Sequence, residues 1–184
     1  MQIHRTPAWG TNRERILDAA RDLVVKNGWD RFSLRALARA VSLSPASLYE
    51  YFDGKEEILA AVADRARHRL VDELRAVPAD HAERLVELAM AYVAFARRYR
   101  EDFLLLYART TDEPPGKGTP YSIWLNQVAR EFGPGRKSEV PRLAYTVWAC
   151  AHGLAMLQIT ALANVDGDFE ASDRAAITAM VAAI

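Results

Sequence analysis

Apolar residues recur three and four positions apart almost from one end of this chain to the other, the spacing of one face of an α-helix. Ile16, Leu17, Ala20, Leu23 and Val24 show it, and so do Leu85, Leu88, Ala89, Tyr92 and Phe95. Sustained alternation of apolar and polar residues is missing, and no Asn-Gly or Asp-Gly pair joins two apolar runs as in a hairpin. The chain is therefore expected to be all-α. Its 184 residues, 51% of them apolar, suffice for one or two domains whose cores need neither disulfides nor metals.

Start and stop signals divide the pattern into about nine helices. Thr11 and Glu14 have capping-box spacing, and Asn27-Gly28 closes the helix they open. Ser33 is placed to cap a second, short helix with Leu34, Leu37 and Ala38 inward. Ser44 is placed to cap a third over about 45–51, with Pro45 at its first position and Leu48 and Phe52 on its buried face. Asp53 to Glu56 reads as another capping box, opening a helix from about 54 to 77 that Pro78 stops. Further helices are expected over about 80–99, 120–132, 139–164 and 169–183, with a short one over about 101–109 and a loop from Thr110 to Gly118.

Charge is unevenly spread. Lys and Arg number 24, as do Asp and Glu, so the formal net charge is zero. Residues 1–45 nevertheless carry +4, which leaves −4 on the remainder. A basic front on an acidic body points to two functional parts. The single cysteine, Cys150, excludes an internal disulfide and sits among apolar neighbours as an inert thiol would. Met1 to Pro7 lacks the apolar run of a signal peptide, and the expected location is cytoplasmic. Leu143 to Val165 holds no charged residue, yet its Thr, His, Gln and Asn residues fit a soluble helix better than a membrane span. One face of such a helix would lie in its own domain and the other in a partner subunit. The four histidines, His4, His68, His81 and His152, form no HExxH or similar pair, and no nucleophile elbow occurs. Neither an enzyme, a metal site nor a cofactor is expected.

The helix at 33–40, a four-residue connection and the helix at 45–51 have helix-turn-helix spacing. A second helix that buries Leu48 and Phe52 leaves Ala46, Ser47, Tyr49 and Glu50 free. Small residues at its N-terminus permit approach to a groove floor, and its capped end can donate to phosphate. Taken alone, this pattern also fits an ordinary pair of packed helices.

The full run is more specific. Ser33-Leu34-Arg35-Ala36-Leu37-Ala38-Arg39 leads into Leu43-Ser44-Pro45-Ala46-Ser47-Leu48-Tyr49-Glu50-Tyr51-Phe52, and then Asp53-Gly54-Lys55-Glu56-Glu57-Ile58-Leu59. Over about residues 11–60 this resembles the DNA-binding domain of the tetracycline-repressor (TetR) family. Trp148-Ala149-Cys150-Ala151-His152-Gly153 is similar to a Trp-x-x-x-His-Gly segment of one C-terminal subgroup. The resemblance implies an all-helical homodimer, with a helix-turn-helix domain over 1–56 and a ligand and dimerisation domain over 57–184. It also implies repression at a palindromic operator in double-stranded DNA, relieved by a small, largely apolar or aromatic effector.

Carried over by position, Ser33 and Arg35 fall where the family touches phosphate and base edge, and Arg35 suits bidentate pairing with guanine. Pro45, Ala46 and Tyr49 fall at groove-facing positions, and Ser44, Ser47, Tyr51 and Lys55 at or beside phosphate-contact positions. The alternatives are a cap for Ser33, a core side chain for Tyr51 and a solvated helix start for Lys55. Two departures stand out. Ser42 occupies a turn position where the family has glycine, and a left-handed serine costs roughly 1 kcal/mol. Glu50 places a negative charge that either repels phosphate or accepts from a cytosine amino group. In the body, the resemblance makes Tyr92, Phe95, Phe103, Tyr107, Trp124, Trp148 and His152 candidates to line an effector pocket, although aromatics at helical spacing are ordinarily core. Gly153 and Leu157, with Ile177, Met180 and Val181 of the last helix, are the candidate dimer interface.

Overall fold

The computed structural model describes residues 7–80, 83–107 and 118–184. Within them lie nine α-helices and no strand: α1 (Pro7–Asn27), α2 (Leu34–Ala40), α3 (Pro45–Leu48), α4 (Lys55–Ala76), α5 (Arg84–Arg98), α6 (Arg100–Tyr107), α7 (Pro120–Phe132), α8 (Val140–Ile159) and α9 (Glu170–Ala182). The all-α expectation holds. His4, His81 and all but the last residue of the loop expected from Thr110 to Gly118 lie outside the described residues. The chain divides into two compact units, Met1–Ala66 and Arg67–Ile184, and the division falls inside α4.

In the first unit, Ile16, Leu17 and Ala20 of α1, Leu37 of α2, Leu48 of α3 and Ile58 of α4 are each at most 1% exposed, and α2 packs on both α1 and α3. Each large side chain so buried contributes about 1.5–3 kcal/mol. α1 starts at Pro7, five residues ahead of the Asn12 start that the Thr11 capping pattern implies. Pro7 suits a first turn because no amide hydrogen is needed there. The helix ends as expected, at a left-handed Gly28 (φ +81°) whose N–H donates to the Val24 carbonyl at 2.8 Å. α4 opens at Lys55, and Glu57, not Glu56, reaches back to accept from the Asp53 N–H at 2.5 Å.

The end of α2 carries the turn. The Leu43 N–H donates to the Ala38 carbonyl at 2.9 Å and the Ser42 N–H to the Arg39 carbonyl at 3.3 Å. This is the Schellman pattern, which needs a left-handed residue where Ser42 stands. Ser42 has φ +55° and is the one non-glycine with positive φ among the described residues. Serine takes the glycine role here at the steric cost anticipated from its sequence position.

In the second unit, α8 buries Leu143, Ala144, Val147, Ala151, Ala155 and Ile159, spaced three and four apart, against α5 and α7. α9 packs on α5 and α8. α8 ends at Ile159, short of the expected 164. The Thr160 hydroxyl donates to the Met156 carbonyl while the Thr160 backbone leaves helical geometry. Buried charge is paired: the Arg69 guanidinium donates to Asp102, and Gln158 Nε2 donates to Asp173 at 2.5 Å. Cys150 is half-buried and burial pushes its thiol up, which disfavours the reactive thiolate. No helix among the described residues is long and apolar enough to cross a membrane. No group of His, Cys, Asp and Glu side chains among them is arranged to hold a metal ion.

Candidate functional site

The α2–turn–α3 segment presents a divided surface. Leu37, Ala38, Leu48 and Phe52 are buried. Ser33, Arg35, Ser44, Pro45, Ala46, Tyr49 and Glu50 are exposed, Tyr49 at 57%, while Ser47, Tyr51 and Lys55 are half-buried. Ser44 caps α3 as expected, its hydroxyl accepting from the Ser47 N–H at 3.0 Å. The Ser44 and Ser47 hydroxyls are also 2.8 Å apart. When Ser44 donates in that pair, the Ser47 proton is free for an outside acceptor. Ser33 stands at the N-cap position of α2, but its side chain makes no capping bond.

α3 is shorter than the expected 45–51. Past Leu48 the backbone tightens, with Tyr49, Glu50 and Tyr51 each donating to the carbonyl three residues back. Burial of Phe52 under the Arg13 guanidinium, 4.6 Å from the ring centroid, fixes where this segment turns.

Tyr51 is held from α1. The Trp9 ring stacks on it at 5.6 Å and 25°, and Asn12 Nδ2 donates to its hydroxyl at 3.1 Å. Trp9 Nε1 donates to the Glu50 carbonyl at 3.3 Å. Arg15 donates to Asn12 Oδ1 at 2.9 Å and to the Val41 carbonyl at 2.8 Å, tying the same helix to the turn. Sequence reasoning missed Trp9, Asn12 and Arg15. Their partners lie 26 to 41 residues away, and periodicity reports nothing at that range.

In the second unit, most of the candidate pocket residues converge. The Tyr92 hydroxyl lies 2.5 Å from that of Tyr107 and 2.9 Å from His152 Nδ1, and it accepts from Trp148 Nε1 at 3.2 Å. It can give its proton to one of Tyr107 and His152 while the other donates to it. Phe103 stacks on His152 at 5.6 Å, and Trp124 meets Tyr92 edge-on at 6.1 Å. Phe95 stands one ring removed, 6.5 Å from Phe103. Tyr107 is 39% exposed while its hydroxyl meets Tyr92. Burial pushes the Tyr92 and Tyr107 phenols up and the His152 imidazole down, so all three are neutral near pH 7. Trp124 Nε1 is a buried donor with no hydrogen-bond partner among the described residues.

The candidate interface residues divide. Gly153 and Leu157 lie on an exposed stripe of α8 with Tyr145 and Ala149. A Cβ on Gly153 would meet nothing within 4 Å. Ile177, by contrast, is fully buried in the core of its own unit, and Met180 and Val181 pack against that core. The outward side of α9 instead carries Ala175, Ala176, Ala179 and Ala182 along with Ser172 and Thr178.

Residues 16–62 match the family described as bacterial regulatory proteins, tetR family, and residues 85–180 match a tetracyclin repressor-like C-terminal domain. The chain belongs to the TetR family. It is similar to an uncharacterised HTH-type transcriptional regulator of Mycobacterium tuberculosis, with 28% identity over 177 residues, 93% of this chain and 84% of that one. A protein of unknown function from Rhodococcus sp. RHA1 superposes with TM-score 0.75 at 27% identity, covering 100% of this chain and 99% of the other. A TetR variant from Acinetobacter baumannii AYE in complex with minocycline superposes with TM-score 0.62 at 18% identity, covering 92% and 94%. This TetR-family chain is thus a DNA-binding transcriptional regulator and not an enzyme. The first TetR match runs from within α1, through the helix-turn-helix, into α4, and the second runs from α5 into α9.

Proposed function

We propose that this regulator is a cytoplasmic repressor that binds a palindromic operator as a homodimer and is released by a small, largely apolar or aromatic effector. DNA contacts belong to residues 1–56, and effector binding and dimerisation to 57–184. The carrying observation is the division of the helix-turn-helix surface: Leu48 and Phe52 are sealed inside while Arg35, Pro45, Ala46 and Tyr49 stand exposed. Arg35 pairs with a guanine edge, and Tyr49, Ala46 and Pro45 lie along the groove floor. Ser33, Ser44, Ser47, Tyr51 and Lys55 hold the phosphates on either side. Glu50, exposed beside them, accepts from a base amino group or rejects a wrong backbone path.

The effector reading is supported by the neutral polar groups gathered at Tyr92 and by the Trp124 donor, which has no partner among the described residues. An acceptor atom on a planar, uncharged ligand answers both. The bound minocycline in the related Acinetobacter protein is in keeping with ligand binding on this fold. Dimerisation is supported by the apolar stripe of α8 and the alanine side of α9, two faces that allow close helix approach.

Selection from random duplexes tests the operator. One palindrome should be enriched, and Arg35→Ala and Tyr49→Ala should each weaken binding by about 1–3 kcal/mol and relax preference at one position. No enriched palindrome, or two variants that bind like the parent, overturns the reading.

A further inference from the structure

The hydroxyl of half-buried Tyr51 ends a chain of hydrogen bonds that begins at Arg15 and passes through Asn12. The donor and acceptor chemistry of these groups fixes the direction of each bond. A guanidinium has five N–H donors and no acceptor, so the Asn12 atom 2.9 Å from Arg15 is the carbonyl oxygen. The amide nitrogen of Asn12 is thereby turned to the Tyr51 hydroxyl, 3.1 Å away, and an NH2 group only donates. Tyr51 therefore accepts from Asn12 and keeps its own proton for another acceptor. Asn12 is the one hydrogen-bond partner of that hydroxyl among the described residues.

Arg15 is anchored in turn. Its other terminal nitrogen donates at 2.8 Å to the carbonyl of Val41, the C-cap of α2 and the neighbour of left-handed Ser42. One guanidinium thus orients the Asn12 amide and ties α1 to the turn. Trp9 stacks on the Tyr51 ring and holds its plane, but a ring contact does not direct a hydroxyl proton.

Building on Tyr51 as a phosphate contact, we propose that Asn12, its amide set by Arg15, is a positioning residue for DNA binding. It holds the Tyr51 hydroxyl as an outward donor to a backbone phosphate. Phosphate oxygens of DNA only accept, so a Tyr51 that donated inward would meet them with a lone pair. A hydroxyl already held as a donor needs no reordering when DNA arrives.

The test is fluorescence anisotropy of the full chain with a labelled random-sequence duplex, because a phosphate contact is independent of sequence. Tyr51→Phe should weaken binding about threefold or more. Asn12→Ala should cost a similar factor in the parent and nothing further in Tyr51→Phe. Asn12→Asp keeps the side chain's size and the bond to Arg15, but its carboxylate cannot donate and draws the Tyr51 proton inward. It should lose at least as much as Asn12→Ala, and most of that loss should vanish in the Tyr51→Phe background. Repulsion between the new charge and phosphate would persist there, and a side chain that only fills space would tolerate the exchange. A hydroxyl neutralises no phosphate, so Tyr51→Phe and Asn12→Ala should keep the parent's slope of log affinity against log salt. Asn12 variants that bind like the parent, or that cost as much in Tyr51→Phe as in the parent, overturn the proposal. So does an Asn12→Ala slope shallower by about one or more, which marks loss of charged contacts. Parent-like binding by Tyr51→Phe overturns it together with the phosphate role of Tyr51. A loss in Tyr51→Phe to which the Asn12→Ala loss simply adds refutes the positioning role alone.

Discussion

At Ser42 an L side chain occupies backbone space that glycine takes without strain, and two hydrogen bonds keep it there. A β-branched residue fits that space worse than serine. Ser42→Val should lower the unfolding free energy by about 1–2 kcal/mol, measured by urea titration. An unchanged midpoint would show that the turn adopts another shape. Tyr92 is a second position where one atom decides much, since three polar groups meet its hydroxyl. Tyr92→Phe leaves buried donors and acceptors unmatched and should cost about 1–3 kcal/mol in the same titration. Ser42 was legible as a departure from sequence alone, because a turn position asks for one residue type. The meeting at Tyr92 was legible only as a set of aromatics. Which hydroxyl sits at the centre depends on how α5, α6 and α8 face one another.

Helix interiors were readable because burial repeats with the helical period, as in Leu143, Val147, Ala151 and Ala155 of α8. Ends were less so where a distant partner sets them. α1 gains an extra turn that holds Trp9 over Tyr51, and α3 stops where Phe52 enters the core. In α9 the periodicity identified an apolar side, but alanine is also apolar, so two candidate faces existed. Packing placed Ile177 inward and the alanines outward. Should α8 and α9 form the dimer contact, Gly153→Leu and Leu157→Asp will shift the protein from dimer to monomer by sedimentation without loss of helix content. Gly153 has open space around its missing Cβ within the chain, so the first variant obstructs a partner and not the fold. Dimers that persist in both variants would place the contact elsewhere.

For the molecule as a whole, zero net charge sets the scale of non-specific attraction to DNA. Affinity should rest on the +4 front and on base contacts. Lys55→Gln is expected to weaken binding evenly across sequences and to reduce the slope of log affinity against log salt by about one. Stability should also depend on pH through His152. Burial lowers its folded pKa below the unfolded value of about 6.5, so the unfolded chain binds the proton more readily. The contribution of the neutral ring is present above about pH 6.5 and is lost as pH falls through the folded value. Denaturant titrations between about pH 7.5 and 5 should show acid destabilisation that shrinks in His152→Gln. An equal slope in both would assign the effect to other groups. The stack of Trp9 on Tyr51 also governs where this chain can be cut. A fragment begun at Thr11, or at residue 16 where the family match starts, would keep every exposed helix-turn-helix side chain yet lose the ring that steadies Tyr51. Expression boundaries and N-terminal fusions are best placed ahead of Pro7, or the purified domain will under-report its own affinity.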